Sequence, residues 1–309
     1  MENKKITKKI VSFLCFTGFL ATVMFVPFVY LAKTALGNDK IIISKTKNDS
    51  GRKVFENINI KAAAAVIYDP STGEFIYSKN GNSQLTLASI TKVMSSVSAI
   101  RIAERMDKEK EVKFAGSWWN LFDLVKYALV SSSNGGVTSI AEAMSVTENK
   151  TIGKNENIDF IKEMNDTAKE IGLKTTYFLN ETGLDINEDF GGAHIGGAYG
   201  SAKDVAKLFA YATKKYPSVF SATKYPEIKI KAKDGKEITS KNTNLDVSKM
   251  TTIIASKTGT TDLAGGNLVI SFDAGLSHPV IISILGSTQE DRFKDAETLA
   301  KATIDFLSK

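Results

Sequence analysis

Residues 87–106 read LASITKVMSSVSAIRIAERM, and the meaning of this stretch governs how the rest of the chain is understood. Val93, Met94, Val97 and Ile100 recur at helical spacing, which predicts an amphipathic helix from Ser89 to Met106. Ser89 and Lys92 stand at its start, three residues apart. On a helix that spacing sets hydroxyl and amine on one face, one turn apart. The hydroxyl also lies at the helix N-terminus, where the dipole favours a developing anion. A lysine used as a base must first lose its proton, which burial and neighbouring cations encourage. The same Ser-x-x-Lys pattern occurs at Ser44/Lys47, Ser50/Lys53 and Ser221/Lys224. Those copies lie in polar stretches, where surface residues are the simpler reading.

N-terminal to this helix, Ala62 to Tyr68 is apolar, and Asp69-Pro70-Ser71-Thr72-Gly73 carries strong turn chemistry. With Glu74 to Ser78 behind it, the segment reads as a β-hairpin. C-terminal to the helix, Leu121 to Val130, Ile158 to Ile171 and Ala202 to Lys215 are further helical stretches, the first capped by Asn120. Then the pattern changes. Thr252 to Ser256, Gly266 to Phe272 and Val280 to Leu285 read as strands separated by glycine turns. Asp291 to Leu307 closes the chain as a helix. Periodicity thus predicts an α+β domain whose sheet is assembled from both ends of the chain, with a helical middle inserted.

Candidates for chemistry are few. Only two histidines exist, His194 and His278, and no Gly-x-Ser-x-Gly elbow is present, so a serine–histidine–aspartate triad or a histidine-based zinc site has little support. Ser-x-Asn occurs at Ser78/Asn80, Ser132/Asn134 and Ser240/Asn242. The middle copy falls between two helices, where a buried loop would present side-chain donors. Lys257-Thr258-Gly259 occurs once, at the edge of a strand, and alone would read as a strand-ending turn.

Taken in order, Ser89/Lys92, Ser132/Asn134 and Lys257-Thr258-Gly259 form a motif set known from class A β-lactamases and penicillin-binding proteins. The chain resembles that group, and within it the low-molecular-weight D-alanyl-D-alanine carboxypeptidases. The likeness extends to Leu87–Lys92, Phe178–Asp185, Tyr199–Asp204 and the Thr-Asp-x-Ala-Gly continuation after Gly259, and it covers about Ala62 to Lys309. It implies a β-lactamase/transpeptidase-like fold: a central antiparallel sheet flanked by helices, with a helical subdomain. It further implies that Ser89 is the nucleophile, Lys92 the acylation base and Ser132 a proton relay. Asn134 would hold Lys92 and the substrate amide. Lys257 would keep the local potential positive, and Thr258 and Thr260 would bind a terminal carboxylate. The N–H groups of Ser89 and Thr260 would form an oxyanion hole. The implied substrate is a peptidoglycan stem peptide ending in D-Ala-D-Ala. β-Lactams would act as inhibitors, with no metal or cofactor required.

Two departures from the family pattern stand out. Ser89 and Ser132 are only 43 residues apart, so a hairpin-like insertion beside the site is expected to be missing. The chain is also expected to lack the extra β-domain and the C-terminal amphipathic anchor of many such enzymes. Among rival readings, a class A β-lactamase would need a Glu-x-x-Leu-Asn segment, which this sequence does not contain. A DD-endopeptidase shares all three motifs. A non-catalytic peptidoglycan-binding protein on the same fold is disfavoured by the intact motif residues.

Bulk properties fit this picture. At 43% hydrophobic and 24% charged, the chain has the composition of a folded protein rather than a disordered one. Of its net charge of +6, residues 1–33 supply +4, which leaves +2 for the rest and no nucleic-acid footprint. Cys15 is the only cysteine, so no internal disulfide can form. Ile10 to Ala32 is 23 residues without a charge; as a helix it would span roughly 35 Å, enough to cross a bilayer. Lysines 4, 5, 8 and 9 precede it, so the N-terminus is expected in the cytoplasm. The sequence therefore predicts a cytoplasmic tail at 1–9, a transmembrane anchor or uncleaved signal at 10–32, a stalk at 33–57 and a catalytic domain at 58–309. That domain would lie outside the cell membrane, held to it by the single N-terminal pass.

Overall fold

Two runs of apolar residues that cannot both face one helix layer force a sheet covered on both sides. In the computed structural model, described for residues 40–43, 51, 53–106, 111–149, 154–187, 194–247, 249 and 252–308, the chain divides into a unit of residues 1–40 and a unit of residues 41–309. Everything below concerns the second unit. Ile10 to Ala32, with Cys15 and the preceding lysines, lies outside the described residues. Among the described residues no helix is long and apolar enough to cross a membrane.

The central sheet has six strands: β1 (Ile41–Ile43), β2 (Ala64–Asp69), β3 (Glu74–Lys79), β4 (Ile253–Thr261), β5 (Gly265–Asp273) and β6 (Pro279–Ser287). Their spatial order is β1-β3-β2-β6-β5-β4, antiparallel throughout. The N-terminal hairpin meets the C-terminal strands where β2 pairs β6, with Ile67 opposite Ile282. Between β3 and β4 run the helices α1 (Thr91–Arg105), α2 (Leu121–Val130), α3 (Asn134–Ser145), α4 (Phe160–Glu170) and α5 (Ala202–Lys215). After β6 comes α6 (Asp291–Leu307). This is the α+β, helix-inserted arrangement expected from the sequence.

Alternate residues of the strands feed two cores. Ala64 and Val66 of β2 and Val269 of β5 point to the helical side, where α5 lies on the sheet, and share one core with Val93, Val97 and Ile100 of α1. On the other side, Ile67, Ile270 and Ile282 pack with Leu299 and Phe306 of α6. Each fully buried aliphatic side chain contributes about 1.5–3 kcal/mol. Because both faces are covered, the strands read as near-continuous apolar runs rather than alternating ones.

Several expectations are revised. Ile41–Ile43, read as part of a stalk, pair with Tyr77, Ser78 and Lys79 as an edge strand. Phe55 is buried between Tyr77 and Phe306, with ring centroids 5.5 and 5.4 Å away. The folded unit therefore takes in residues well before Ile58. A hairpin is also present between α1 and α2, Glu111–Phe114 with Ser117–Asn120. It is short but it exists, contrary to the expectation drawn from the 43-residue spacing. Its signal was faint because, of its eight strand residues, only Val112, Ser117 and Trp119 are buried, and one of these is polar. Finally, the three C-terminal strands are longer than their apolar segments, so Lys257-Thr258-Gly259 lies inside β4 rather than ending it. Pairing continues past the apolar residues to Thr261 opposite Gly265.

Candidate active site

The three motifs converge where α1 begins, between the edge strand β4 and the loop joining α2 to α3. Ser89 does not open α1 itself. It sits in a 3-10 turn, Ala88–Ile90, that leads into the helix. Ala88 holds φ at +47°, unfavourable for a residue with a β-carbon. Two close approaches lock this turn. A β-carbon on Gly259 would stand 2.8 Å from the Leu87 carbonyl, and one on Gly183 would stand 1.9 Å from the Ala88 carbonyl. Gly259 thus lets strand and turn touch, and Gly183, at φ +77°, lets the loop after Asn180 close over the turn.

Lys92, fully buried on α1, donates to three acceptors: Ser89 Oγ at 2.9 Å, Asn134 Oδ1 at 2.7 Å and the Thr182 carbonyl at 2.8 Å. Burial takes its amine down from 10.5 to about 7, while the negative charge of Glu181 pulls in the opposite direction. A neutral amine here keeps two N–H bonds, to Asn134 and Thr182, and turns its lone pair to the Ser89 hydroxyl. That is the geometry of a base in contact with its nucleophile.

Three serines precede Asn134, and their partners separate them. Ser131 Oγ donates to the Tyr127 carbonyl, and Ser133 Oγ accepts from Gly136 N at the start of α3. Both complete helix ends. Ser132, at φ +56°, instead meets Lys257, whose Nζ donates to Ser132 Oγ at 2.9 Å and to the Thr258 carbonyl at 2.8 Å. Burial pushes the Lys257 amine well below its ordinary value, and the cations Lys92 and Arg292 push it further the same way. The Thr258 hydroxyl bonds Thr243 at 2.6 Å. Thr260 is exposed on the same strand, and its hydroxyl accepts from Arg292 Nη1 at 2.8 Å.

All eight predicted residues therefore occupy one region of the fold. Four further residues escape sequence reasoning. Arg292 comes from α6, beyond the last motif, and also donates to the Gly259 carbonyl at 3.0 Å. It is buried, its Nε has no partner among the described residues, and burial holds it down to about 10, so it stays a cation at neutral pH. Asn267 on β5 donates to the Thr86 and Leu87 carbonyls and accepts from Gly286 N. Asn180 gathers Thr182 N and Gly183 N on its Oδ1, which aims the Thr182 carbonyl at Lys92. Thr243 lies on no element of the sheet. For Asn180 a signal existed, since it lies in the Phe178–Asp185 segment.

The decoys fall elsewhere. Lys224 is exposed and lies over the Tyr225 ring. Asn80 donates to the Ala63 carbonyl, and Asn242 donates to the Thr223 and Tyr225 carbonyls, both structural ties. Ser44, Lys47 and Ser50 lie outside the described residues. His278 does approach Asp69 and Ser71, but the same Nε2 faces both, at 2.9 and 3.5 Å, so no proton path of the triad kind can form.

A serine in contact with a buried lysine, set between an antiparallel sheet and a helical region, is the arrangement that the resemblance to the β-lactamase/transpeptidase-like fold implies. The comparisons agree. A family model described as D-alanyl-D-alanine carboxypeptidase matches residues 50–289, and the chain belongs to that family. It is 29% identical to D-alanyl-D-alanine carboxypeptidase DacF of Bacillus subtilis, a match covering 75% of this chain and 59% of that protein. It is 25% identical to a D-alanyl-D-alanine endopeptidase of Pseudomonas aeruginosa, covering 78% of this chain and 77% of that protein. In fold it is similar to penicillin-binding protein D2 of Listeria monocytogenes in its ampicillin-bound form. The TM-score is 0.65 at 23% identity, with 80% of this chain and 99% of that one covered.

Proposed function

We propose that the protein is a serine-type D-Ala-D-Ala carboxypeptidase that trims peptidoglycan stem peptides through an acyl-enzyme on Ser89. The observation that carries this reading is the 2.9 Å contact between Ser89 Oγ and the buried Lys92 amine. In the first step Ser89 Oγ attacks the carbonyl carbon between the two terminal D-alanines and its proton passes to Lys92 Nζ. The N–H groups of Ser89 and Thr260 receive the developing oxyanion, each such donor being worth roughly 3–4 kcal/mol in the transition state. The C–N bond then breaks, and the leaving amine takes the proton that Lys92 had accepted, relayed through the Ser132 hydroxyl, whose oxygen already accepts from Lys257, so that Lys92 is neutral again. Asn134 orients Lys92 and the substrate amide. Water, deprotonated by Lys92, hydrolyses the ester and frees Ser89.

The substrate's terminal carboxylate is taken by Thr258 and Thr260 on β4, with Gly259 allowing the strand to lie against the nucleophile turn. Both Lys92 and Lys257 are driven toward neutrality by burial. Arg292 is therefore the cation that keeps this end of the site positive at neutral pH, reaching the carboxylate subsite through Thr260. A β-lactam, which mimics the D-Ala-D-Ala terminus, would acylate Ser89 and leave slowly.

Fluorescent penicillin followed by peptide mapping tests the nucleophile. Label is expected on Ser89 and lost in Ser89→Ala with the fold intact, and the wild-type protein should release D-alanine from a stem pentapeptide. Label without D-alanine release would remove the carboxypeptidase reading. An endopeptidase is then the second reading, favoured by the Pseudomonas aeruginosa relative of that name, which the chain spans more completely than it does DacF. Rapid turnover of penicillin would point to a β-lactamase instead. The uncharged stretch Ile10–Ala32 behind four lysines supports a single-pass membrane anchor with the catalytic domain outside the cell, and residues 33–40 as its connection to the folded unit.

A further inference from the structure

One wall of the Lys92 pocket is the loop Asn180–Asp185, and no step above uses its acidic side chain, Glu181. Three hydrogen bonds define its surroundings. Ser95, on α1 three residues after Lys92, donates from Oγ to the Glu181 carbonyl at 2.6 Å. The next carbonyl, that of Thr182, accepts from Lys92 at 2.8 Å. The Glu181 carboxylate accepts from Thr138 Oγ1 at 2.6 Å. Thr138 stands on α3 one turn beyond Asn134, whose Oδ1 also accepts from Lys92. The bonds form a closed ring: α1 to the loop, the loop to α3, and α3 back to α1 through the amine itself.

A latch that served only to hold the loop would not need a charge, because a glutamine would accept the same Thr138 hydrogen. Here the latch is a carboxylate beside a base buried without a formal ion pair. Negative charge at this place favours the ammonium form of Lys92 and opposes the effect of burial. The basic groups on the other side of the amine are Lys257 on β4, itself driven toward neutrality by burial, and, beyond it, the cation Arg292 on α6. Glu181 also lines a surface cavity of about 580 Å³ together with Glu142 and Asp159, so water screens part of its field from that side.

We propose that Glu181 is a positioning residue for the serine chemistry: latched to Thr138, its carboxylate holds the Thr182 carbonyl on Lys92 and supplies the negative charge against which the amine gives up its proton. The proposal rests on the reading of Ser89 and Lys92 given above. Its consequence is a division of labour within one side chain. The bond to Thr138 sets geometry, and the charge sets the pH range in which the base is free.

The test is the rate of acylation by fluorescent penicillin from pH 5 to 9, with thermal melts, for the wild type, Glu181→Gln, Glu181→Asp and Thr138→Val. Glu181→Gln keeps an acceptor for Thr138 and removes the charge. Its acidic limb is expected to move to lower pH by roughly half a unit or more. Glu181→Asp, charged but too short for the latch, should bring the limb back toward the wild-type position. Thr138→Val should lower the plateau several-fold with less movement of the limb. A Glu181→Gln limb that superimposes on the wild type, or moves to higher pH, overturns the proposal. Should Glu181→Gln fail to fold, the other two variants decide: wild-type plateaus and limbs in both would overturn it equally. A wild-type protein that takes no label at Ser89 would instead defeat the proposed activity, which keeps the two failures distinct.

Discussion

Lys92 is asked to do two incompatible things, to be an amine and to be buried. The fold resolves this by giving its nitrogen three acceptors and no touching carboxylate, so the charged form is tolerated without being strongly favoured. With the amine down at about 7, acylation should climb through an acidic limb near that pH. Lys92→Arg, cationic at every accessible pH, should lose about 10²–10⁴-fold in acylation rate, read with the same penicillin. Between about 7 and 10.5 the unfolded chain binds the proton and the folded one does not. Folding stability should therefore rise with pH across that window, and rise less steeply in Lys92→Met, as urea denaturation at pH 7 and pH 9 would reveal. No rise in the wild type would mean that the amine is not depressed.

What elements contribute is placement, and it is carried by a few cross-links rather than by the motifs. Strand β5 supplies none of the predicted site residues, yet its Asn267 is fully buried and ties the segment before Ser89 to Gly286 near the end of β6 through three hydrogen bonds. Asn267→Ala would take a donor from the Thr86 and Leu87 carbonyls, the second of which keeps Ile90 N, and the acceptor from Gly286 N. It should cost about 2–4 kcal/mol, seen as a lower urea midpoint at unchanged slope. Acylation should fall with it, because Leu87 sets where the Ala88–Ile90 turn begins. A stability loss below about 0.5 kcal/mol would show that water replaces these bonds. The same logic explains α6: one face packs on the sheet, and its first turn sends Arg292 under β4 to Gly259 and Thr260.

At the scale of the whole folded unit, residues 41–79 and 253–287 meet in one sheet, so the domain cannot close until both are made. Folded in this way, the domain begins at β1, directly after the segment proposed to connect it to an anchor. Protease added to intact protoplasts or spheroplasts should digest the domain, and membranes should retain the N-terminal fragment. Full protection of the domain would defeat the topology. A mature N-terminus near residue 36 would replace the anchor with a cleaved signal.

Local order along the chain was enough to read the hairpin at Asp69, the helices at Leu121, Ala202 and Asp291, and which of four Ser-x-x-Lys pairs stands at the start of an apolar helix. These depend on contacts within a few residues, on turn chemistry, caps and apolar periodicity, which leave their mark in neighbouring letters. The ordering of the three motifs added the family. Phe55, Ile41–Ile43, Asn267 and Arg292 left no such mark, and Glu181 left one only through the Phe178–Asp185 segment around it. Each acts on a partner far away in sequence: Phe55 on Phe306, Arg292 on Thr260, Glu181 on Thr138. A polar side chain buried against a distant carbonyl looks, in sequence, like any surface polar residue. Its role exists only once folding has removed the water that would otherwise have satisfied it.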